Sequence, residues 1–254
     1  MLLNDLVTTS AAVAEASGRL AKIGLLAELL RRLVPEEIEI AIGFLSGEPR
    51  QGRIGIGGAT VWTAKDVSPA DTSRLTLHDV DEAFTQIGNV KGSGSAATRL
   101  GRLRDLLGRA TRVEQDFIVR LLFGELRQGA LEALLVEAVA KPSNIPAASM
   151  RRAVMMAGML APVARAALLN GDAGLIGFGV QLFQPIQPML AQPAGDMSDA
   201  LVQLRNDVSL EWKLDGARIQ VHKSGNEIRV FSRNLRDVTC AGPEVVGAIR
   251  ALHV

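Results

Sequence analysis

The sequence predicts a multidomain protein: an all-α helical domain followed by a smaller α+β segment. Apolar residues recur at intervals of three and four through most of residues 1–180, as in "LLAELLRRLV" (25–34), the pattern of helices that bury one face. After about Gly177, closely spaced prolines and then alternating apolar and polar residues indicate an extended linker and strands. We therefore expect a helical domain over 1–180, a proline-rich linker over 181–195 and a mixed segment over 196–254.

Glycine-, proline- and serine-rich stretches divide the helical region, and we expect eight to eleven helices there. Segments 113–122 and 131–140 show the clearest helical periodicity. Helix starts are expected at Asp79, Thr111 and Ser149, because short oxygen-bearing side chains can accept hydrogen bonds from the free amides of a first turn.

The mixed segment carries three strand patterns and a final helix. Residues 209–214 form the first strand pattern, and residues 217–222 and 227–232 alternate apolar and polar positions around "KSGN". The last two strands are therefore expected to form a β-hairpin. A helix over 243–252 is expected to close the segment.

Composition excludes several classes of protein. Hydrophobic residues make up 48% of the chain and the net charge is +1, so a sizeable core is expected and nucleic-acid binding would need a local basic surface. The single cysteine, Cys240, cannot form an intrachain disulfide and fits a reducing compartment. The apolar stretch 153–169 contains Pro162 and Arg165 and is too short to span a bilayer. We expect a soluble cytoplasmic protein that does not contact a membrane.

Lys213 stands in a strand-like run directly before the turn formers Asp215 and Gly216. A lysine amine is protonated at neutral pH and becomes a nucleophile only where burial or nearby cations lower its pKa. Arg218 and Arg233 would supply such cations and would also suit phosphate groups. The residues alone suggest nucleotide-phosphate chemistry, and they leave open a surface lysine on a hairpin.

Three glycine-containing stretches in the helical region suit a close approach to phosphates. They are "RIGIG" (53–57), "GSGS" (92–95) and "ELRQG" (125–129). The "GSGS" stretch precedes a segment, 99–112, with five arginines against one aspartate. Loops and helix N-termini arranged along one face would grip a nucleic-acid backbone, although such a helix face can also be merely solvated.

Several of these stretches resemble motifs of ATP-dependent DNA ligases of the archaeal and eukaryotic replicative type, which also occur in some bacteria. "EWKLDGARIQVH" (211–222) resembles the nucleotidyltransferase motif Lys-x-Asp-Gly-x-Arg, and "FSRN" (231–234) resembles the motif that follows it. "PIQPMLAQP" (185–193) resembles the segment just before the adenylation domain. "SGEPRQGRIGIG" (46–57) and "LLFGELRQGALEALLVEAVA" (121–140) resemble the helical DNA-binding domain, so the resemblance covers essentially all 254 residues.

The resemblance implies ATP and Mg²⁺ as cofactors and a role for each residue of the motif. Lys213 would attack the α-phosphate of ATP and hold AMP through a phosphoramide bond. Glu211 would contact the adenine amino group, and the backbone at Trp212 would help to fix the base. Arg218 and Arg233 would contact the ribose and the phosphates. The resemblance gives no metal ligand among these residues.

For the helical domain the resemblance implies binding to the minor groove of nicked double-stranded DNA. Recognition would be largely independent of sequence, and stacking on unpaired bases is not favoured in a chain with 4% aromatic residues. We expect a monomer, with a sliding clamp as a partner of the full-length protein and the bacterial nucleoid as its location. The expected DNA contacts, in order of preference, are Arg127, Gly129, Gly55, Gly57, Ser95 and Arg99.

The acidic and lysine motifs that follow the Ser-Arg-Asn motif in such ligases do not occur in the remaining residues of this chain. The resemblance therefore implies a truncated adenylation segment, and we expect this chain to bind DNA without sealing nicks alone. Two other interpretations stay open: a nucleotidyltransferase of the RNA ligase or capping type, and a non-catalytic helical module in which Lys213 is incidental.

Overall fold

The chain is described here by a computed structural model. The structure describes residues 1–52, 54–126, 129–188, 194–204, 208–212 and 215–252, with the side chains of 129 and 130 excepted. These residues fall into two compact units. The first comprises Met1–Ala153 and Met159–Gly177, and the second comprises Val154–Gly158 and Phe178–Val254.

The described secondary-structure elements of the first unit are all helices, as the apolar periodicity predicts, and one isolated β-bridge joins Leu2 to Thr76. A short 3-10 helix, Gly171–Leu175, follows its last α-helix. The α-helices are α1 (Leu3–Glu15), α2 (Arg19–Arg31), α3 (Ile38–Ser46), α4 (Gly58–Ala64), α5 (Leu77–Gly88), α6 (Ser95–Arg109), α7 (Arg112–Phe123), α8 (Gly129–Ala140), α9 (Ala147–Ala157), whose last residues belong to the second unit, and α10 (Leu160–Asn170).

Helix α3 forms the centre of this unit because it is apolar around most of its surface. Seven of its nine residues are buried, as expected for a helix surrounded by others. It packs against α1, α5, α8 and α10. Phe44 on α3 meets Phe84 on α5 edge to face, with ring centroids 5.9 Å apart. This contact fixes α5, and α5 in turn carries the groups that hold the candidate interface described below.

Two capping boxes define where helices begin. Thr111 caps α7 together with Glu114, which confirms the expected helix start. Helix α5 begins after Thr76 rather than at Asp79, because the Thr76 side chain accepts the N–H of Asp79 while the Asp79 carboxylate accepts the N–H of Thr76. Asp79 therefore completes the capping box instead of being the cap. Helix α9 begins at Ala147, two residues before the expected Ser149.

The described part of the second unit combines a two-stranded sheet with two short helices. Strands β1 (Ile219–Ser224) and β2 (Glu227–Ser232) pair antiparallel and turn at Gly225, whose φ is +56°. The helices are α11 (Met197–Leu204) and α12 (Pro243–Arg250). The hairpin and the final helix are confirmed, although β1 begins at Ile219 and not at residue 217, and α12 ends at Arg250 and not at residue 252. Residues 209–212 are not in a strand, so the prediction of a strand over 209–214 is wrong for these four residues. Residues 213 and 214 lie outside the described residues.

No helix in the described ranges is long and apolar enough to cross a membrane.

Candidate nucleic-acid interface and nucleotide site

The loop Gly47–Gly57, here called the glycine loop, is anchored to α5 by a buried carboxylate. Asp81 accepts hydrogen bonds from Nε and Nη2 of Arg50, the first at 3.0 Å. Gln51 Nε2 donates to the Asp81 carboxylate and backbone carbonyl, both at 3.0 Å, and to Thr85 Oγ1 at 2.8 Å. Two consecutive side chains of the loop thus face the protein. Among the residues that follow, Gly52, Gly55 and Gly57 are exposed, whereas Ile54 is buried.

That segment needs glycine for conformational reasons. Gly55 has a φ of +72°, a left-handed conformation that residues with a Cβ rarely adopt. Gly57 precedes α4, and a Cβ at this position would meet no atom within 4 Å, so a ligand could approach its backbone closely. Arg53, between the anchor and Gly55, lies outside the described residues.

Arg99, on the first turn and a half of α6, reaches back to the glycine loop. Its Nη1 donates to the carbonyl of Gly55 at 3.1 Å, and its Nη2 donates to the carbonyl of Val90 at 2.6 Å. An arginine in this position was expected to contact phosphate. The structure instead uses both terminal nitrogens to join two backbone segments of the protein.

Ser95 is the first residue of α6, after a turn in which Gly92 and Gly94 both have positive φ. The Ser95 N–H donates to the carbonyl of Gly92. Gly94 is the N-cap residue, and no side chain of the described residues accepts a hydrogen bond from the first turn of α6 as a cap. A first helical turn without a side-chain cap presents N–H groups that suit an anion. Ser95 and Gly55 are therefore brought to one area of the surface through Arg99.

The end of α7 lies beside the glycine loop. The helix stops at Gly124, whose φ is +72°, and a cavity of about 460 Å³ lies between the two segments, lined by Gly52, Gly55 and Phe123 among others. The stretch 125–129 continues from this point. Arg127 lies outside the described residues, and Gly129 begins α8. The cavity lining thus includes one of the three predicted glycine-containing stretches, 53–57, and the residues directly before a second one, 125–129.

An exposed aromatic pair lies beside this cavity and was missed by the sequence reasoning. Trp62 on α4 is 65% exposed, and its ring centroid is 6.2 Å from that of Phe123. Lys65 Nζ lies 5.9 Å from the Trp62 centroid and also pairs with Asp116 at 2.9 Å. The low aromatic content argued against stacking on bases. Trp62 follows the glycine loop by only five residues, and this spacing could have indicated an aromatic side chain beside the loop.

The other arginines of α6 differ in their surroundings. Arg102 donates to Gln86 Oε1 at 2.6 Å, and Arg109 pairs with Asp79 at 2.9 Å. Arg104 is exposed on the same helix. The basic face is therefore partly neutralised by α5, and its charge is less concentrated than the sequence alone indicates.

In the second unit the two arginines of the expected nucleotide site lie at the same end of the hairpin. Ile219 pairs with Ser232, so Arg218, which precedes β1, and Arg233, which follows β2, occupy adjacent register positions. Both are exposed. The turn after β2 is closed by a hydrogen bond from the Leu235 N–H to the Ser232 carbonyl at 2.9 Å. The two short motifs that carry the ligase resemblance therefore meet at one end of the sheet.

The remaining expected site residues are less well defined. Glu211 and Trp212 lie in an exposed stretch without regular structure, and Trp212 is 93% exposed. Trp212 is thus not part of the hairpin core. Lys213 lies outside the described residues. The roles of Glu211, Trp212 and Lys213 stay predictions.

The proline-rich segment before the hairpin lies against β1 instead of standing free of the fold. The Phe183 N–H donates to His222 Nδ1 at 2.9 Å, and the Ile186 N–H donates to Gln220 Oε1 at 3.0 Å. The Gln187 N–H donates to the carbonyl of Met155 at 3.0 Å. Residues 183–187 are therefore hydrogen-bonded to other residues of the second unit. The assignment of residues 181–195 as a linker between two domains stays a prediction.

No group of three or more His, Cys, Asp and Glu side chains suited to a metal ion occurs among the residues described above. None of those residues is therefore assigned to Mg²⁺. A metal that enters together with nucleotide phosphates would need fewer protein ligands.

Two family models match the chain. "DNA ligase N terminus" matches residues 63–140, which include the whole of α5 to α8. "ATP dependent DNA ligase domain" matches residues 188–254, which include the hairpin and Lys213. Both matches place the chain in the class of DNA ligases.

Curated relatives match over nearly the whole chain. A probable DNA ligase of Anaeromyxobacter sp. (strain Fw109-5) is 54% identical over 99% of this chain and 49% of the relative. A probable DNA ligase of Sorangium cellulosum is 51% identical over 100% of this chain and 48% of the relative. One of Mycolicibacterium gilvum is 48% identical over 100% of this chain and 49% of the relative. The chain belongs to the ATP-dependent DNA ligase family and spans about half the length of the curated relatives it matches.

Proposed function

We propose that the first unit binds nicked duplex DNA and that the second unit carries the lysine of an ATP-dependent DNA ligase. The observation that carries the first part is the convergence of the glycine loop, the start of α6 and the end of α7 on one surface. Each segment presents backbone near glycine. Helix α6 also carries the exposed Arg104 further along its length. Backbone N–H groups and arginines are the usual partners of DNA phosphates.

The contacts proposed for DNA are of two kinds. Arg127 and Arg104 would neutralise phosphates, while Gly55, Gly57, Ser95 and Gly129 would let the backbone approach the minor groove. Phosphate contacts do not depend on base identity, so binding would be insensitive to sequence and steeply dependent on salt. We propose that the chain acts as a monomer at the bacterial nucleoid, with a sliding clamp as a partner of the full-length enzyme.

For the second unit we propose that the Nζ of Lys213 attacks the α-phosphate of ATP. A P–N bond forms as the bond to pyrophosphate breaks. The AMP then passes from the lysine to the 5′-phosphate at the nick, and the 3′-hydroxyl displaces it as the phosphodiester bond forms. Arg218 and Arg233 support this assignment because they share one end of the hairpin and are exposed there.

Roles for Glu211 and Trp212 follow from the same assignment. Glu211 would accept a hydrogen bond from the adenine amino group, and the backbone at Trp212 would contact the base. Mg²⁺ would enter bound to the ATP phosphates and neutralise their charge. Its ligands from this protein are not assigned.

Fluorescence anisotropy of the chain on labelled nicked duplex, intact duplex and single strand, across a salt series, tests the proposed DNA binding. We expect duplex to bind more tightly than single strand, with log K falling linearly against log[salt]. Arg127→Glu should weaken duplex binding at least tenfold. Arg31→Glu is the matched control, because Arg31 lies on α2 and pairs with Glu28 away from the three segments. Absence of duplex binding at low salt would refute the proposal.

A further inference from the structure

Arg99 holds two loops of the candidate interface at a fixed separation. One terminal nitrogen binds the carbonyl of Gly55 and the other binds the carbonyl of Val90, positions that are 44 and 9 residues away along the chain. The Gly55 carbonyl belongs to the glycine loop. The Val90 carbonyl begins the turn through Gly92 and Gly94 that starts α6.

The chemistry of the guanidinium suits this task. It is planar and rigid, so its two terminal nitrogens present donors in fixed directions, whereas a lysine ammonium is a single point on a flexible stem. A Cβ placed on Gly55 would lie 3.1 Å from both Cζ and Nη1 of Arg99. The guanidinium therefore packs directly over the Gly55 backbone, and glycine is needed there for this contact as well as for its positive φ.

All three guanidinium nitrogens of Arg99 lie against the protein, since Nη1 and Nη2 donate to carbonyls and Nε is buried. The buried Nε has no hydrogen-bond partner among the described residues. Leaving a buried donor unpaired costs free energy, which the two bonds to carbonyls offset. Arg104, one turn and a half further along α6, is exposed by contrast. Two arginines on one helix are thus placed for different tasks.

We infer that Arg99 is a positioning residue for DNA, which joins the glycine loop to the start of α6 so that backbone groups of both meet the duplex together. It is not itself a phosphate ligand. This inference rests on the proposed DNA binding. Because free loops would lose conformational freedom on binding, holding them in place beforehand increases affinity without adding a contact.

The salt dependence of binding distinguishes positioning from direct phosphate contact. Each phosphate that a cation neutralises contributes about −0.9 to the slope of log K against log[salt]. If Arg99 positions the loops, Arg99→Gln and Arg99→Lys should both weaken binding to nicked duplex by roughly three- to thirtyfold at every salt concentration, with the slope unchanged. If Arg99 contacts phosphate, Arg99→Lys should bind nearly as the unaltered chain does, and Arg99→Gln should lower the slope by about one.

Two further variants guard against effects on folding and on general charge. Gly55→Ala disturbs the same contact from the other side, so the double variant with Arg99→Gln should lose little beyond the worse single variant. Arg31→Gln removes an exposed arginine on α2 and should leave affinity and slope unchanged. Hydrogen exchange should quicken at residues 54–58 and 90–95 in Arg99→Lys while α3 keeps its protection.

The possible failures are distinguishable. If the unaltered chain binds no duplex at low salt, the proposed function fails and the DNA-positioning role falls with it. If the chain binds duplex but Arg99→Lys binds equally well, only the role of Arg99 is overturned. Unchanged hydrogen exchange in both loops of Arg99→Lys would also overturn it.

Discussion

The carboxylate of Asp81 is 3% exposed and binds the guanidinium of Arg50, whose side chain remains 42% exposed. The hydrogen bonds that Arg50 donates to Asp81 raise the pKa of Arg50 above its ordinary value, although partial burial opposes this shift. Gln51 binds the same carboxylate. Asp81 lies on α5, which is itself packed in the core. It therefore anchors the glycine loop through two consecutive side chains of that loop, Arg50 and Gln51.

Replacing Asp81 should destabilise the first unit. Asp81→Ala leaves Arg50 without its carboxylate acceptor and Gln51 with only the backbone carbonyl and Thr85 Oγ1, and we expect the free energy of unfolding to fall by about 1–3 kcal/mol. The lower part of that range is favoured because half-exposed Arg50 can still be solvated. Urea unfolding followed by helical circular dichroism is suitable, since ten of the twelve α-helices in the described part of the chain begin in the first unit. Glu82→Ala is the matched control, because Glu82 is exposed and binds Gln86 on its own helix. Equal losses in both variants would contradict the anchoring role.

The capping box of α5 should make stability depend on pH. Hydrogen bonds from the hydroxyl and the N–H of Thr76 lower the pKa of Asp79, and Arg109 lowers it further. A carboxyl group whose pKa is lower in the folded state contributes stability above its unfolded pKa, near 4, and this contribution is lost as the pH falls through the folded pKa. Asp79→Asn should therefore be less stable than the unaltered chain at pH 7, with a gap that shrinks towards pH 3.

Substitutions of Thr76 separate the contribution of the capping hydroxyl to stability from the contribution of the charged Asp79 carboxylate. Thr76→Ala removes the hydroxyl and should cost about 1 kcal/mol at pH 7, while Thr76→Ser keeps the hydroxyl and should cost much less. Urea midpoints measured between pH 3 and pH 7 provide the comparison. A gap between Asp79→Asn and the unaltered chain that stays constant over this range would contradict the assigned cause.

The sequence predicted features that depend on local patterns and missed those that depend on distant partners. Thr111 caps α7 as expected, and β2 spans the expected residues 227–232, because a cap and a hairpin are specified within a few positions. The expected strand 209–214 requires partner strands that local alternation cannot reveal. The hydrogen bond from Arg99 to the Gly55 carbonyl was also missed, since the two residues are 44 positions apart.

The proposed nucleotide site rests mainly on the resemblance. Short motifs suggested Lys213, Arg218 and Arg233, and the β1–β2 register places the two arginines at one end of the hairpin. Spacing along the chain could not establish this juxtaposition, because it depends on the two-residue turn at Gly225. The aromatic pair at Trp62 escaped for a related reason: Phe123 lies 61 residues further along the chain.

The hairpin register predicts equivalent roles for Arg218 and Arg233 in forming the lysine–AMP bond. In a ligase of the relatives' full length that carries this sequence, Arg218→Ala and Arg233→Ala should each slow the transfer of label from α-phosphate-labelled ATP to protein by at least tenfold, because each removes a cation beside the phosphates. Lys213→Ala should abolish it. Arg250→Ala, an exposed arginine on α12, is the control and should label normally. Normal labelling of Arg233→Ala would contradict the shared site.

Trp62 should report DNA binding directly. It is 65% exposed and contacts Phe123, which lines the cavity beside the glycine loop, so a duplex lying across that loop would cover the indole. In a Trp212→Phe background, where Trp62 is the remaining tryptophan, nicked duplex should change the fluorescence with the same midpoint as anisotropy. Trp62→Ala should weaken binding roughly fivefold, which corresponds to about 1 kcal/mol for loss of an aromatic contact. Val113→Ala is the control for loss of exposed apolar surface, because Val113 is exposed at the start of α7, at the opposite end of that helix from Phe123. An emission spectrum that stays unchanged while anisotropy saturates would place the duplex away from Trp62 and would require a different DNA-binding face on the first unit.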